Sequence, residues 1–197
     1  MDKRTFQTFI GDKRHVIDAI RAEASMLHDT VCNQTYDTNH PYSFHLEMVA
    51  NLTMEFGYIV CENKEDIIPI IFAAYFHDSI EDARMTYNDV LRVATDFMDK
   101  EQSKIATEIV YALTNEKGRT RAERANDKYY EGIRNTPYAS FVKWCDRYAN
   151  MKYSIDIGSR MASMYKSELA MFLEKIDVCE ELINKIVSLS IDILPTD

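Results

Sequence analysis

Two potential metal ligands stand beside two further carboxylates in Tyr75-Phe76-His77-Asp78-Ser79-Ile80-Glu81-Asp82. Imidazole nitrogen and carboxylate oxygen both bind divalent cations. The remaining acids, Glu81 and Asp82, suit the handling of water or protons. The stretch closes an apolar run, Ile67 to Ala74, that reads as a buried helix. Charge at the end of such a helix is costly unless something compensates it, and a bound metal ion would do so. On a helix, Glu81 falls one turn after His77 and Asp82 one turn after Asp78. The competing reading is a helix C-terminus with solvated acids, which the helix dipole disfavours.

Two other stretches offer partners. His45, Val49, Leu52 and Phe56 recur at helical spacing, which puts His45 on an apolar stripe facing inward. Ser43 is positioned to cap that helix, and Gly57 to end it. A histidine on such a stripe serves either as a packed core residue or as a ligand. Residues 140–152 form a helix with Phe141, Trp144, Cys145, Tyr148 and Met151 as its apolar set. Lys143, Asp146, Arg147 and Asn150 fall along one strip of it. Asp146 sits among bulky apolar neighbours and needs a partner. It is either half of a surface Asp–Arg strip or a further metal ligand, with Lys143, Arg147 and Asn150 near the substrate.

These stretches sit among helices. Residues 12–29 carry Val16, Ile17, Ile20, Ala24 and Leu27 at helical spacing; His15 and His28 there read as surface or packing residues. Residues 30–42 read as a polar loop, with Pro41 turning His40 away from helix. Pro69 is tolerated near a helix start. Thr86 and Asp89 form a capping box for a helix over 87–98, and 103–113 is amphipathic. Lys117, Arg119, Arg121 and Arg124 make a concentrated basic segment, either a solvated connection or a phosphate-binding edge. From Ser159 to Ile193 two more helices follow, the first with Met161, Met164, Leu169 and Phe172 as core filler. No ligands are evident in either. The chain therefore reads as all-α and as a single domain over 1–197, with a core over 12–155 and a helical extension over 156–197.

Composition narrows the partners. The 197 residues include five glycines and four prolines, and the net charge is −9. That balance argues against nucleic acid and against a membrane surface. A small anionic substrate held by a local basic cluster stays compatible with it. The N-terminus lacks an apolar signal core and no apolar stretch reaches spanning length, so a cytoplasmic protein is expected. Cys32, Cys61, Cys145 and Cys179 include no Cys-x-x-Cys pair and read as free buried thiols in a reducing compartment. The oligomeric state is left open.

The order His45, His77-Asp78, Asp146 resembles that of the HD-domain metal-dependent phosphohydrolases. Pro41-Tyr42-Ser43-Phe44-His45-Leu46-Glu47-Met48-Val49-Ala50 is similar to the first-ligand segment of the RelA/SpoT-homologue hydrolases. Ala73 to Asp82 resembles their His-Asp-x-x-Glu-Asp motif, and Val142 to Met151 their last ligand helix. Ala122-Glu123-Arg124 fits a Glu-Arg pair that precedes that helix. The resemblance covers about residues 12–155 and is nearest the small stand-alone members. It implies an HD fold and a Mn²⁺-dependent hydrolase, other divalent metals being compatible. The reaction implied is removal of the 3′-pyrophosphate from guanosine tetra- or pentaphosphate (ppGpp). It implies His45, His77, Asp78 and Asp146 as metal ligands, and Glu81 and Asp82 as the residues that position and activate water. Asn150 would contact the ribose or its phosphate, with Lys143, Arg147 and Arg124 near the nucleotide. The family carries a basic pair in the loop before the first ligand. Here Val31 to Asp37 has no Arg or Lys, and Tyr36 is the residue able to stack on a base. Two alternatives follow: an HD phosphohydrolase of another small nucleotide, such as a nucleoside monophosphate or NADPH, or a non-catalytic nucleotide-binding HD domain.

Overall fold

A computed structural model describes residues 1–191; the last part of the expected 156–197 extension, residues 192–197 with Ile193, lies outside the described residues. The described chain is all-α. Its helices are α1 (Lys3–Asp12), α2 (Arg14–Ser25), α3 (Ser43–Phe56), α4 (Ile67–Phe76), α5 (Tyr87–Ala94) and α6 (Lys100–Leu113). They continue with α7 (Arg121–Arg124), α8 (Asp127–Asn135), α9 (Ala139–Asp156), α10 (Arg160–Lys175) and α11 (Glu180–Ile191). A π-helical stretch, Met26–Val31, extends α2. No helix among the described residues is long and apolar enough to cross a membrane.

Helix α4 is the centre of the packing. Every residue from Ile67 to Phe76 is buried, as an apolar run without a polar face requires. It packs against α2, α3, α6 and α9. Pro69 lies in its first turn, where a missing N–H costs no helical hydrogen bond. Helices α3 and α9 also pack on each other. The C-terminal end of α4 thus meets the inward faces of α3 and α9. Trp144 on α9 is fully buried, and its Nε1 donates to Leu182 O at 2.9 Å, which ties α11 to this core.

Several local expectations change in the fold. Helix α4 stops at Phe76, so His77 to Asp82 form turns rather than further helix. The Asp82 N–H still donates to Asp78 O at 2.8 Å, which preserves the one-turn relation of that pair. Ser43 is not the cap of α3; its own N–H donates to Asp29 Oδ1 at 2.9 Å, so the cap comes from the π-helical stretch. The Thr86–Asp89 capping box forms as expected. The N-terminal helix α1 and the helix α8 carried no reading from periodicity. Met161 is exposed rather than core, whereas Tyr165 on the same helix is buried. All four cysteines are free; Cys61 and Cys145 are buried, but Cys179 is exposed.

Gly57 does not end α3 in a left-handed cap. Its φ is −57°, and the chain runs on into a 3₁₀ turn, Gly57–Ile59. Glycine is needed for space: a Cβ there would lie 2.6 Å from Phe6 Cζ. Phe6 is itself 1% exposed and cannot swing away. Gly57→Ala is therefore expected to cost about 1–3 kcal/mol by overpacking. Urea unfolding would show a lower midpoint at unchanged slope.

Candidate metal centre

The end of α4, the inner face of α3 and the inner face of α9 bring four potential ligands together. His45 Nε2 lies 3.2 Å from His77 Nε2 and 3.3 Å from Asp146 Oδ1. Asp78 Oδ2 lies 2.9 Å from His77 Nε2 and 3.7 Å from His45 Nε2. His77 Nε2 and Asp146 Oδ1 are 3.8 Å apart. Ligand atoms at about 2.1 Å from a metal and at right angles lie about 3 Å from one another. The cluster has that spacing.

The donor set also has the right orientation. His77 Nδ1 donates to Ala74 O at 2.8 Å, which leaves its Nε2 lone pair facing the cluster. Ligand atoms of His45, His77 and Asp146 all lie within 4.8 Å of one another, a set that can hold a cation, and Asp78 Oδ2 lies beside the two imidazoles. His45, His77 and Asp146 are buried. Burial disfavours the charged forms of His77, Asp78 and Asp146. Opposite charges outweigh it: Asp78 raises the pKa of His77, His77 lowers that of Asp78, and Lys143, followed by the histidines, lowers that of Asp146.

Neighbours hold the ligands in place. Asn150 Nδ2 donates to Asp146 Oδ1 at 2.6 Å, and Lys143 Nζ donates to Oδ2 at 2.9 Å. Tyr36 donates to Asn150 Oδ1 at 2.9 Å, and its ring stacks on His45 with centroids 5.0 Å apart. The Tyr36 ring is thus engaged with a ligand histidine. Tyr42 Oη lies 2.6 Å from Asp78 Oδ2 and 2.8 Å from Asp82 Oδ2. A phenol has one proton, so it serves one carboxylate at a time. Crowding by neighbouring atoms, and then the charge of Asp78, raise the Asp82 pKa. Glu81 turns away from His77: Asn115 Nδ2 reaches its two oxygens at 3.0 and 2.8 Å. The expected stacking of Glu81 over His77 is lost because the chain has left the helix.

A cavity of about 700 Å³ opens over the cluster. That volume lies in the range of small-molecule sites. Every expected site residue lines it except His77, which sits behind the others; Lys143, Asp146, Arg147 and Asn150 face it together from α9. The basic segment divides. Arg121 and Arg124 line the cavity, whereas Lys117 and Arg119 are exposed outside it. Glu123 serves the local turn by closing the capping box of α7.

Sequence reasoning missed Tyr42, Asn115, Tyr165, Glu168 and Lys175, which also line the cavity. Two of these left a trace. Tyr42 precedes His45 by three residues, which puts it on the ligand side of the same turn. Glu168 lies within the Tyr165, Leu169, Phe172 stripe of α10, and an acid on an apolar stripe demands a partner. Of the two readings of His28, surface or packing, the structure shows packing: it is buried and stacks on Tyr42 with centroids 4.9 Å apart. No protein-family model and no curated protein matches the chain.

Proposed function

We propose that this chain is a divalent-metal-dependent phosphohydrolase of the HD type that releases pyrophosphate from the 3′ position of ppGpp. The convergence of His45, His77, Asp78 and Asp146 on one small volume carries this reading. Their order along the chain, and the Glu81-Asp82 pair beside them, carry the resemblance to the RelA/SpoT-homologue hydrolases. Mn²⁺ suits the mixed nitrogen and carboxylate donors, as do other divalent ions. When bound, the cation supplies a Lewis acid for a phosphoryl oxygen and acidifies water.

The protein's own groups have separable tasks in this reading. Asn150 and Lys143 fix the Asp146 carboxylate, and Tyr36 fixes Asn150. Asp82, whose carboxyl pKa is raised above its ordinary value by desolvation and by the charge of Asp78, is suited to accept a proton from water. Tyr42 aligns it with Asp78. Glu81, steadied by Asn115, orients the attacking water from the cavity side. Lys143 stays charged because the adjacent Asp146 outweighs its burial, and with Arg124 and Arg147 it faces the phosphates.

A second reading, an HD phosphohydrolase of a nucleoside monophosphate or NADPH, is favoured by one observation. Loop 31–37 offers no cation to a purine, and the ring of Tyr36 is already packed on His45. The test is phosphate and pyrophosphate release by the Mn²⁺-loaded protein from ppGpp, GMP and NADPH. Faster turnover of ppGpp supports the first reading. Turnover of GMP or NADPH at an equal or greater rate overturns it in favour of the second.

A further inference from the structure

Helix α10 lies beyond the segment that resembles the hydrolases, yet it forms a wall of the cavity through Tyr165, Glu168, Met171 and Lys175. Glu168 bridges two arginines there. Arg147 Nη1 donates to its Oε2 at 2.9 Å. Arg121 donates through Nε to Oε1 at 2.9 Å and through Nη2 to Oε2 at 3.2 Å. Two guanidinium charges thus converge on one carboxylate. Burial pushes the Glu168 carboxyl up, but the two arginines outweigh that and keep it ionised.

The arginines differ in how much they depend on Glu168. Arg147 is buried and lies against two rings, 5.0 Å from the Tyr165 centroid and 4.7 Å from that of Phe172. Those cation–π contacts hold its guanidinium in place without Glu168. Arg121 is half-exposed and has one such contact, 5.7 Å from Tyr165. Glu168 itself lines the cavity and keeps about a fifth of its side chain exposed. Arg147 directly follows the candidate ligand Asp146 on α9, so the bridge adjoins the metal centre. Carboxylate and phosphate present similar oxygen pairs to a guanidinium fork.

We propose that Glu168 is an internal stand-in for a ligand phosphate, filling the anion position between Arg121 and Arg147 until a polyanion displaces it. A group of single charge replaces Glu168 with an equal and gains little. A diphosphate brings more charge and more acceptor oxygens, so the exchange favours it. Glu168 is thereby a specificity-determining residue that screens weak anions from the cavity. This rests on the nucleotide reading of the cavity and assigns the place of a diphosphate group of that ligand.

The direction of change in E168Q tests the idea. Glutamine keeps the shape; with its oxygen in the Oε2 place it accepts from Arg147 Nη1 and Arg121 Nη2, while the bond from Arg121 Nε and the competing charge go. Calorimetric binding of GDP, GMP and guanosine to Mn²⁺-loaded protein is expected to show GDP bound about tenfold more tightly in E168Q. Guanosine binding should not move, and the preference for GDP over GMP should narrow. The gain should vanish in the R121A background. A fixed buttress that merely orients the arginines predicts the reverse, weaker GDP binding in E168Q, and that result overturns the proposal. A gain shared equally by guanosine overturns it too. Should E168Q not fold, R121A alone reads the same position. Exchange predicts GDP weakened about tenfold with guanosine unmoved, and unaltered GDP binding ends the idea. GDP binding needs no turnover. Tighter GDP binding in E168Q with no ppGpp hydrolysis would spare this position and sink the proposed function. Turnover of ppGpp with weakened GDP binding in E168Q would do the opposite.

Discussion

His77→Ala is expected to abolish the stabilisation that Mn²⁺ gives the wild-type protein, together with all turnover. His77 is 3% exposed, and its ring is held by Ala74 O with Nε2 facing the cluster. Alanine removes that ligand atom, which is the imidazole nitrogen nearest Asp78, and leaves Asp146 with His45 alone. Loss of a residue that merely orients a ligand already weakens metal binding by about 10–100-fold, and loss of a ligand costs at least as much. At Mn²⁺ concentrations of about 100 times Kd, binding adds about 2.7 kcal/mol to the wild type. In a chain of this size that raises Tm by roughly 5–10 °C. Thermal melting with and without Mn²⁺, and after chelation, would show the rise in wild type and its absence in the variant. A rise that survives in His77→Ala would place the cation elsewhere and dismantle the four-residue centre.

Glu81→Gln should separate chemistry from metal binding. Glu81 is exposed in the cavity and makes its contacts with Asn115 rather than with the His–Asp cluster. The substitution keeps its length and removes the ability to take a proton or to offer two acceptor oxygens. Turnover is expected to fall about 10²–10⁴-fold, while the Mn²⁺-induced rise in Tm persists. Wild-type turnover in the variant would move the water-handling role wholly to Asp82. If neither the wild type nor the variant turns over any nucleotide while both bind GDP, the chain is a non-catalytic binding domain.

The parts of the site that proved legible are those governed by the helical period. The apolar run 67–74 has no polar face, and it became the buried centre of the packing. Lys143, Asp146, Arg147 and Asn150 share a strip because residues three and four apart share a face, and all of them line the cavity. His45 lay on an apolar stripe and is buried. Where the chain leaves the helix, that arithmetic fails. Glu81 was expected over His77, but turns after Phe76 carry it to Asn115, a residue distant in sequence. Gly57 follows the last residue of α3 as expected, but it is room for Phe6, not a left-handed cap, that requires glycine there.

Sequence alone thus determined that the protein is all-α, which segment is its core, and which residue types stand on inward faces. Local periodicity carries that information, because side-chain direction on a helix depends on neighbours a few positions away. Only the tertiary structure decided what lies across each face. It set Tyr42 between Asp78 and Asp82, laid Tyr36 on His45, and brought Glu168 from α10 to the two arginines. Apart from Tyr36 and His45, those partners are far apart along the chain, and their meeting depends on how whole helices pack.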